Sequence, residues 1–245
     1  MSASSGGGGY GRGARILSVG IATTGLVTFA YFSLASYALS EVEYKRISLL
    51  WSVMFVIVSV IYRPIEQLLS RTIADRRARG MQSGSLRVPL LIQGAFATVF
   101  AAIALAARGT LQDGLFDGSA ALYWILVVGV LAYAASYFAR GFLAGHQRFA
   151  LYGGLVFLEA TSRVCFALAV IVGVADGQST VALGMAAAPF VSLVVVPAFF
   201  WRRGDPPADL DAVKETEGGL TLRHGAGFAV AVFAVMLAEQ TLINA

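Results

Sequence analysis

Charge is scarce in this chain: 13% of its 245 residues are Asp, Glu, Lys or Arg, about half the share usual in a soluble domain. Lysine occurs only as Lys45 and Lys214. A single cysteine, Cys165, excludes an intrachain disulfide and a cysteine-built metal cluster. The histidines are His146 and His224, both in polar connections where a solvated side chain is expected, and no paired aspartates stand at the end of an apolar run. Metal-assisted or nucleophilic chemistry needs clustered ligands or bases. No catalytic residue, metal ligand or cofactor is therefore assigned, and the chain is not expected to be an enzyme.

What the chain has in abundance is apolar sequence, at 58% hydrophobic residues with a mean hydropathy of +0.74. Seven runs, at 15–39, 48–69, 88–107, 120–142, 149–174, 180–201 and 225–245, approach or exceed the roughly 20 residues that cross a bilayer as a helix. All are expected to be helical, because hydrocarbon leaves any unpaired backbone group unsatisfied. The predicted fold class is all-α, a polytopic transmembrane helix bundle. Pro64, Pro189 and Pro197 fall inside the second and sixth runs, which are expected to bend there. The run at 16–39 is too long for a signal-peptide core of about 7 to 15 residues, so residues 1–14, with a Gly/Ser-rich start, read as a flexible cytoplasmic tail.

Basic residues settle the orientation. Thirteen lie in the tail and the second, fourth and sixth connections, whereas Lys45, Arg46 and Arg108 lie on the other side. The positive-inside rule then places the amino terminus in the cytoplasm and the protein in the cell (cytoplasmic) membrane. The same spread explains the net charge of +4 without nucleic acid, since no basic soluble domain exists. The polar stretch 202–224, with Asp205-Pro206-Pro207 near its start, reads as a cytoplasmic linker. It would separate a six-helix lobe, 15–201, from a seventh helix, 225–245, that begins an incomplete second lobe. Trp51, Trp124 and Trp201 lie near run ends and read as interface anchors.

Ionised side chains inside the runs are the pointer to function, because a charge at mid-bilayer costs about 3 kcal/mol on insertion scales and is kept only with a partner or a wet cavity. Helical projection puts Ser52, Ser59, Arg63, Glu66 and Ser70 within roughly 60° of one another, one polar stripe on the second run. On the fifth run Tyr152, Glu159 and Arg163 align, with Glu159 four residues before Arg163, the favourable order for an ion pair. An Arg63 to Glu159 contact would join the two runs. Either these groups neutralise each other and lock the bundle, or Arg63, Arg163, Glu66 and Glu159 line a cavity that receives an anionic headgroup, which guanidinium grips through paired hydrogen bonds. Glu239 stands alone on the last run. Thr24, Thr28 and Tyr31 on the first run, with Ser59, are candidates for sugar or packing contacts. Gly141 and Gly145 form a small-x-x-x-small pair that brings helices close. Arg140 and Arg148 beside them either serve topology or touch a headgroup from the cytoplasm.

Arg63-Pro64-Ile65-Glu66-Gln67-Leu68-Leu69-Ser70-Arg71, Arg140-Gly141-x-x-Ala144-Gly145-x-x-Arg148-Phe149 and Glu159-x-x-x-Arg163 together resemble the polysaccharide-type transporters of the multidrug/oligosaccharidyl-lipid/polysaccharide (MOP) superfamily. The resemblance covers 18–245. It implies two helical lobes around a V-shaped cavity that opens alternately to each side of the membrane, and a flippase for a lipid-linked oligosaccharide or polysaccharide precursor. The implied partners are membrane lipid and the lipid-linked glycan, with a second lobe or glycan-assembly enzymes beyond this chain and no nucleic acid. Competing expectations are a drug/cation antiporter of the same superfamily and, from other classes, a membrane-embedded transferase or a non-transporting scaffold.

Overall fold

The computed structural model describes residues 7–80 and 86–197. The expected linker, the seventh run and Glu239 lie outside the described residues. Among the described residues seven helices follow one another: α1 (Gly7–Ala38), α2 (Glu41–Ala78), α3 (Arg87–Ala106), α4 (Arg108–Phe116), α5 (Ala120–Gly145), α6 (Phe149–Ile171) and α7 (Gly177–Ser192). Among the described residues, five helices are long and apolar enough to cross a membrane: α2, α3, α5, α6, and α7 with its continuation to Pro197. The described residues thus form an all-α bundle with the length and composition of a multi-pass membrane protein.

The helix ends follow from local chemistry. Ser40 caps α2 through a reciprocal capping box, its side chain accepting from the Glu43 amide while the Glu43 carboxylate accepts from the Ser40 amide at 3.0 Å. α2 then continues for 38 residues, about 57 Å at 1.5 Å per residue. That exceeds the hydrocarbon core, so its arginine-rich last turns project beyond it. Helical structure persists through Pro64 in α2, and α7 gives way to a turn at Leu193 and Val194, a few residues after Pro189. The stretch expected as a simple connection after the third run instead forms α4. Its Phe116 is fully buried, and Arg108 lies over the Tyr123 and Trp124 rings at 5.8 and 5.6 Å. Asp117 in the left-handed region (φ 48°) and Gly118 (φ 81°) turn the chain into α5, and Arg46 ties that turn to α2 through Asp117 at 2.9 Å.

Packing order differs from chain order. α1 lies along α6, α6 along α7, α7 along α5 and α5 along α2, while α3 leans on α2 and α5. α1 and α2, joined by only Leu39 and Ser40, touch little. Lipid tails are as apolar as leucine, so close van der Waals fit rather than apolar burial must hold such helices together. The glycines supply that fit. A Cβ added at Gly141 would sit 2.8 Å from the Glu66 carbonyl oxygen, and one at Gly145 would sit 2.7 Å from Ile73 Cβ. The small pair read from the sequence is thus the seam where α5 meets the backbone of α2.

Two ends of the bundle can be told apart by charge. The basic end carries Arg71, Arg76, Arg77, Arg79, Arg87 and Arg148, and the opposite end carries Ser40, Asp117 and Gly173.

Candidate functional site

Nearest the basic end, α5 presents Ser136 and Arg140, one helical turn apart, to Glu159 of α6. Glu159 is 2% exposed and is gripped from three sides. The Ser136 hydroxyl donates to Oε1, Arg140 Nη2 forms an ion pair with Oε2, and the Ser192 hydroxyl shares its proton between Oε1 at 3.2 Å and the Pro189 carbonyl at 2.8 Å. The Arg140 guanidinium also lies over the Tyr137 ring, 4.4 Å from its centre. Three helices thereby converge on one carboxylate. Two turns before Glu159 on the same face of α6, Tyr152 donates its hydroxyl to Glu66 Oε1 of α2 at 2.9 Å. These contacts form a basic tier of Glu66, Tyr152, Arg140, Ser136, Glu159 and Ser192.

Further from the basic end lies a second tier. Arg163, one turn after Glu159, is 4% exposed. Its Nη1 donates to the Tyr133 hydroxyl at 3.0 Å, its guanidinium carbon stands 4.7 Å from the centre of the Trp51 ring, and its Nε is buried without a hydrogen-bond partner. Among the described residues no carboxylate forms an ion pair with it. Trp51 meets Phe32 edge-on at 5.6 Å and stacks on Phe55 at 6.2 Å. Gly184 lets α7 close on α6 here, since an added Cβ would lie 3.3 Å from Arg163 Cα. Trp51 is therefore no interface anchor but half of a cation-π pair inside the bundle.

Arg63 belongs to neither tier. It is exposed on α2, together with Ser52 and Gln67, and has no ion-pair partner among the described residues. Ser52 and Arg63 keep the expected exposed stripe, whereas Ser59 turns out to be 3% exposed and packs inward. The predicted Arg63 to Glu159 contact is replaced by Arg140 to Glu159, and the Glu159 to Arg163 pair does not form. Trp51, the α2 neighbour of Arg163, precedes Arg63 by twelve residues, which is about 18 Å along the axis. The two arginines expected to line one cavity thus lie at separate levels.

The remaining candidates resolve into struts. Tyr31 is fully buried and donates to the Val181 carbonyl of α7 at 3.2 Å, Thr24 returns its hydroxyl to the Gly20 carbonyl at 2.8 Å, and Thr28 is half-buried. Arg148 stands half-buried just ahead of α6. His146, expected in solvent, is 6% exposed and packs on Phe142 with ring centres 4.3 Å apart. Sequence reasoning missed Arg140 and Tyr133 as partners. α5 runs on to Gly145, three residues beyond the predicted end of the run, and Arg140, counted with the fourth connection, instead faces Glu159 inside the bundle.

A cavity of about 760 Å³ opens between α3, α5 and the end of α7, lined by Leu90, Ala97, Ala135, Phe138 and Val196 among others, with no charged side chain. It is separate from the two tiers. No family model, curated protein or solved structure matches the chain. Chemistry alone must therefore interpret the site: three guanidiniums, two carboxylates, and only one close ion pair between them.

Proposed function

We propose that the chain takes part in moving a lipid-linked oligosaccharide or polysaccharide precursor across the cytoplasmic membrane. In this reading it is the amino-terminal, six-helix lobe and first further helix of a two-lobed, alternating-access flippase with its amino terminus in the cytoplasm. The observation that carries the proposal is Arg63. A permanently charged guanidinium, exposed on a membrane-crossing helix and without an ion-pair partner among the described residues, needs water or an anion beside it. A phosphate or pyrophosphate headgroup meets that need through two parallel hydrogen bonds. Bias of basic residues toward one side, and resemblance to polysaccharide-type MOP transporters at these same positions, support the direction and the cargo.

The drug/cation antiporter reading is less well supported by the site. A cation binder needs a free carboxylate, whereas Glu159 already accepts from an arginine and two serines and Glu66 from Tyr152. The test is flipping of a polyprenyl-pyrophosphate-linked glycan in proteoliposomes. Arg63→Gln is expected to lower the rate at least about tenfold, the loss of one charge-assisted contact, with an unchanged melting temperature. Wild-type flipping by this variant would sink the headgroup role.

A further inference from the structure

Arg163 has more hydrogen-bonding capacity than the bundle uses. A guanidinium carries five N–H donors and does not deprotonate in proteins. Here Nη1 reaches Tyr133, Nε reaches nothing, and the face is covered by Trp51. The nearest acid along α6, Glu159, is already bound to Arg140. A buried cation without an anion is held at a large desolvation penalty, which one aromatic face offsets only in part. The indole is a weaker partner for this charge than an oxyanion would be.

The cover is also loosely held. Trp51 is half-buried, and among the described residues its indole N–H makes no hydrogen bond that would fix the ring in place. Its ring neighbours are Phe32, edge-on, and Phe55, which is 49% exposed, and the indole packs by apolar contact alone against the core. Rotation of the indole would break apolar packing, ring contacts and the cation-π contact, and no hydrogen bond.

We propose that Arg163, with the Tyr133 hydroxyl beside it, is a second anion site, and that Trp51 is its latch: the indole lies on the guanidinium until a phosphate or pyrophosphate group displaces it. The cargo that would bring this group is the lipid-linked glycan, so the proposal rests on the function given above. Arg63, about 18 Å away along α2, is then the first station and Arg163 the next. The site takes an oxyanion on the Nε–H edge and the Nη donors, with Tyr133 as an additional donor. No covalent step is involved.

The test uses the full 245-residue chain in phosphatidylcholine nanodiscs, with Trp124→Phe and Trp201→Phe so that Trp51 alone reports. Inorganic pyrophosphate is titrated in one arm, and phosphatidylglycerol replaces part of the phosphatidylcholine in the other. A change in Trp51 emission in either arm, lost in Arg163→Gln and kept in Arg163→Lys, is the expected result, and the responding arm identifies a free phosphate or a lipid headgroup as the ligand. Silence of Trp51 in both arms, or a response that survives Arg163→Gln, overturns the proposal. Should Arg163→Gln fail to fold, Trp51→Leu decides by calorimetry. Removing the competing indole should tighten binding of the responding anion about tenfold, and unchanged or weaker binding overturns the latch. Neither readout involves Arg63, so failure here is separable from failure of the flipping assay on Arg63→Gln.

Discussion

The two tiers of charge solve the same problem in opposite ways. In the basic tier a buried arginine meets a buried carboxylate, and the hydroxyls of Ser136 and Ser192 fill remaining acceptor capacity of Glu159. In the second tier a buried arginine meets a phenol and an indole and no carboxylate; its Nε is unpaired, as is that of Arg140, but here no ion pair offsets it. The first arrangement is an ion-paired lock among α5, α6 and α7. The second holds a net positive charge in low dielectric, which is a poor way to stabilise a bundle and a good way to wait for an anion. A turn of α6 separates them, so small rotations of that helix would be felt by both.

The sharpest way to break the comparison is to remove one half of the lock. Arg140→Ala leaves Glu159 charged, buried and facing two hydroxyls, and breaking a buried pair in this way costs about 3 to 5 kcal/mol. The expected outcome is a large drop in thermal stability in detergent. A double variant, Arg140→Met with Glu159→Leu, should recover most of that loss, because an apolar pair of similar volume carries no desolvation penalty. If the double variant is as unstable as the single one, the basic tier is more than a lock and the contrast with Arg163 narrows.

How much of this could be read beforehand depends on the kind of contact. The apolar runs announced the long helices, and the exposure of Ser52 and Arg63 was legible because one helix fixes its own periodicity. Gly141 and Gly145 were legible for a similar reason, since two small residues four apart create a flat face whatever packs on it. Arg140 was not. It lies inside the predicted run 120–142 but counts with the basic connection, and which neighbour its face meets is set by how α5 packs on α6, which composition does not fix. Trp51 over Arg163 was illegible for a different reason: the contact is set by the rotation and register of α2 against α6, and a tryptophan ten residues into a helix carries no mark of which neighbour it will meet. Periodicity gives faces, and only packing assigns partners to them.

The second tier responds to a subtler change. Tyr133→Phe removes the hydroxyl that accepts from Arg163 Nη1 at 3.0 Å and keeps the ring. Hydrogen bonds to charged groups contribute roughly 1.5 to 3 kcal/mol, so a loss of about 2 kcal/mol is expected by chemical unfolding. This is smaller than for Arg140→Ala, because the Trp51 face remains. An effect as large as that of Arg140→Ala would mean that Tyr133 is the counterpart of Glu159 and that the tier is closed after all.

The smallest expected effect lies where the basic tier meets solvent. Tyr152→Phe deletes the donor to Glu66 Oε1 at 2.9 Å, but Glu66 is only half-buried and water can replace the hydroxyl. Interhelical hydrogen bonds in membrane proteins are worth about 0.6 kcal/mol on average, so a shift of about 0.5 to 1 kcal/mol is expected. Glu66 and Glu159 are thus predicted to differ although both are carboxylates of one tier: one is replaceably hydrated, and the other depends on its protein partners. Thermal unfolding of Tyr152→Phe beside Ser136→Ala checks this. Ser136 lies behind Glu159, fully buried, where no water can take over its donation. The serine variant should therefore lose more stability than the tyrosine variant, by about 1 to 2 kcal/mol, because the buried Oε1 is left with only the longer, shared bond from Ser192. Equal losses would place water beside Glu159 and make the basic tier as open as the face of α2 that carries Arg63.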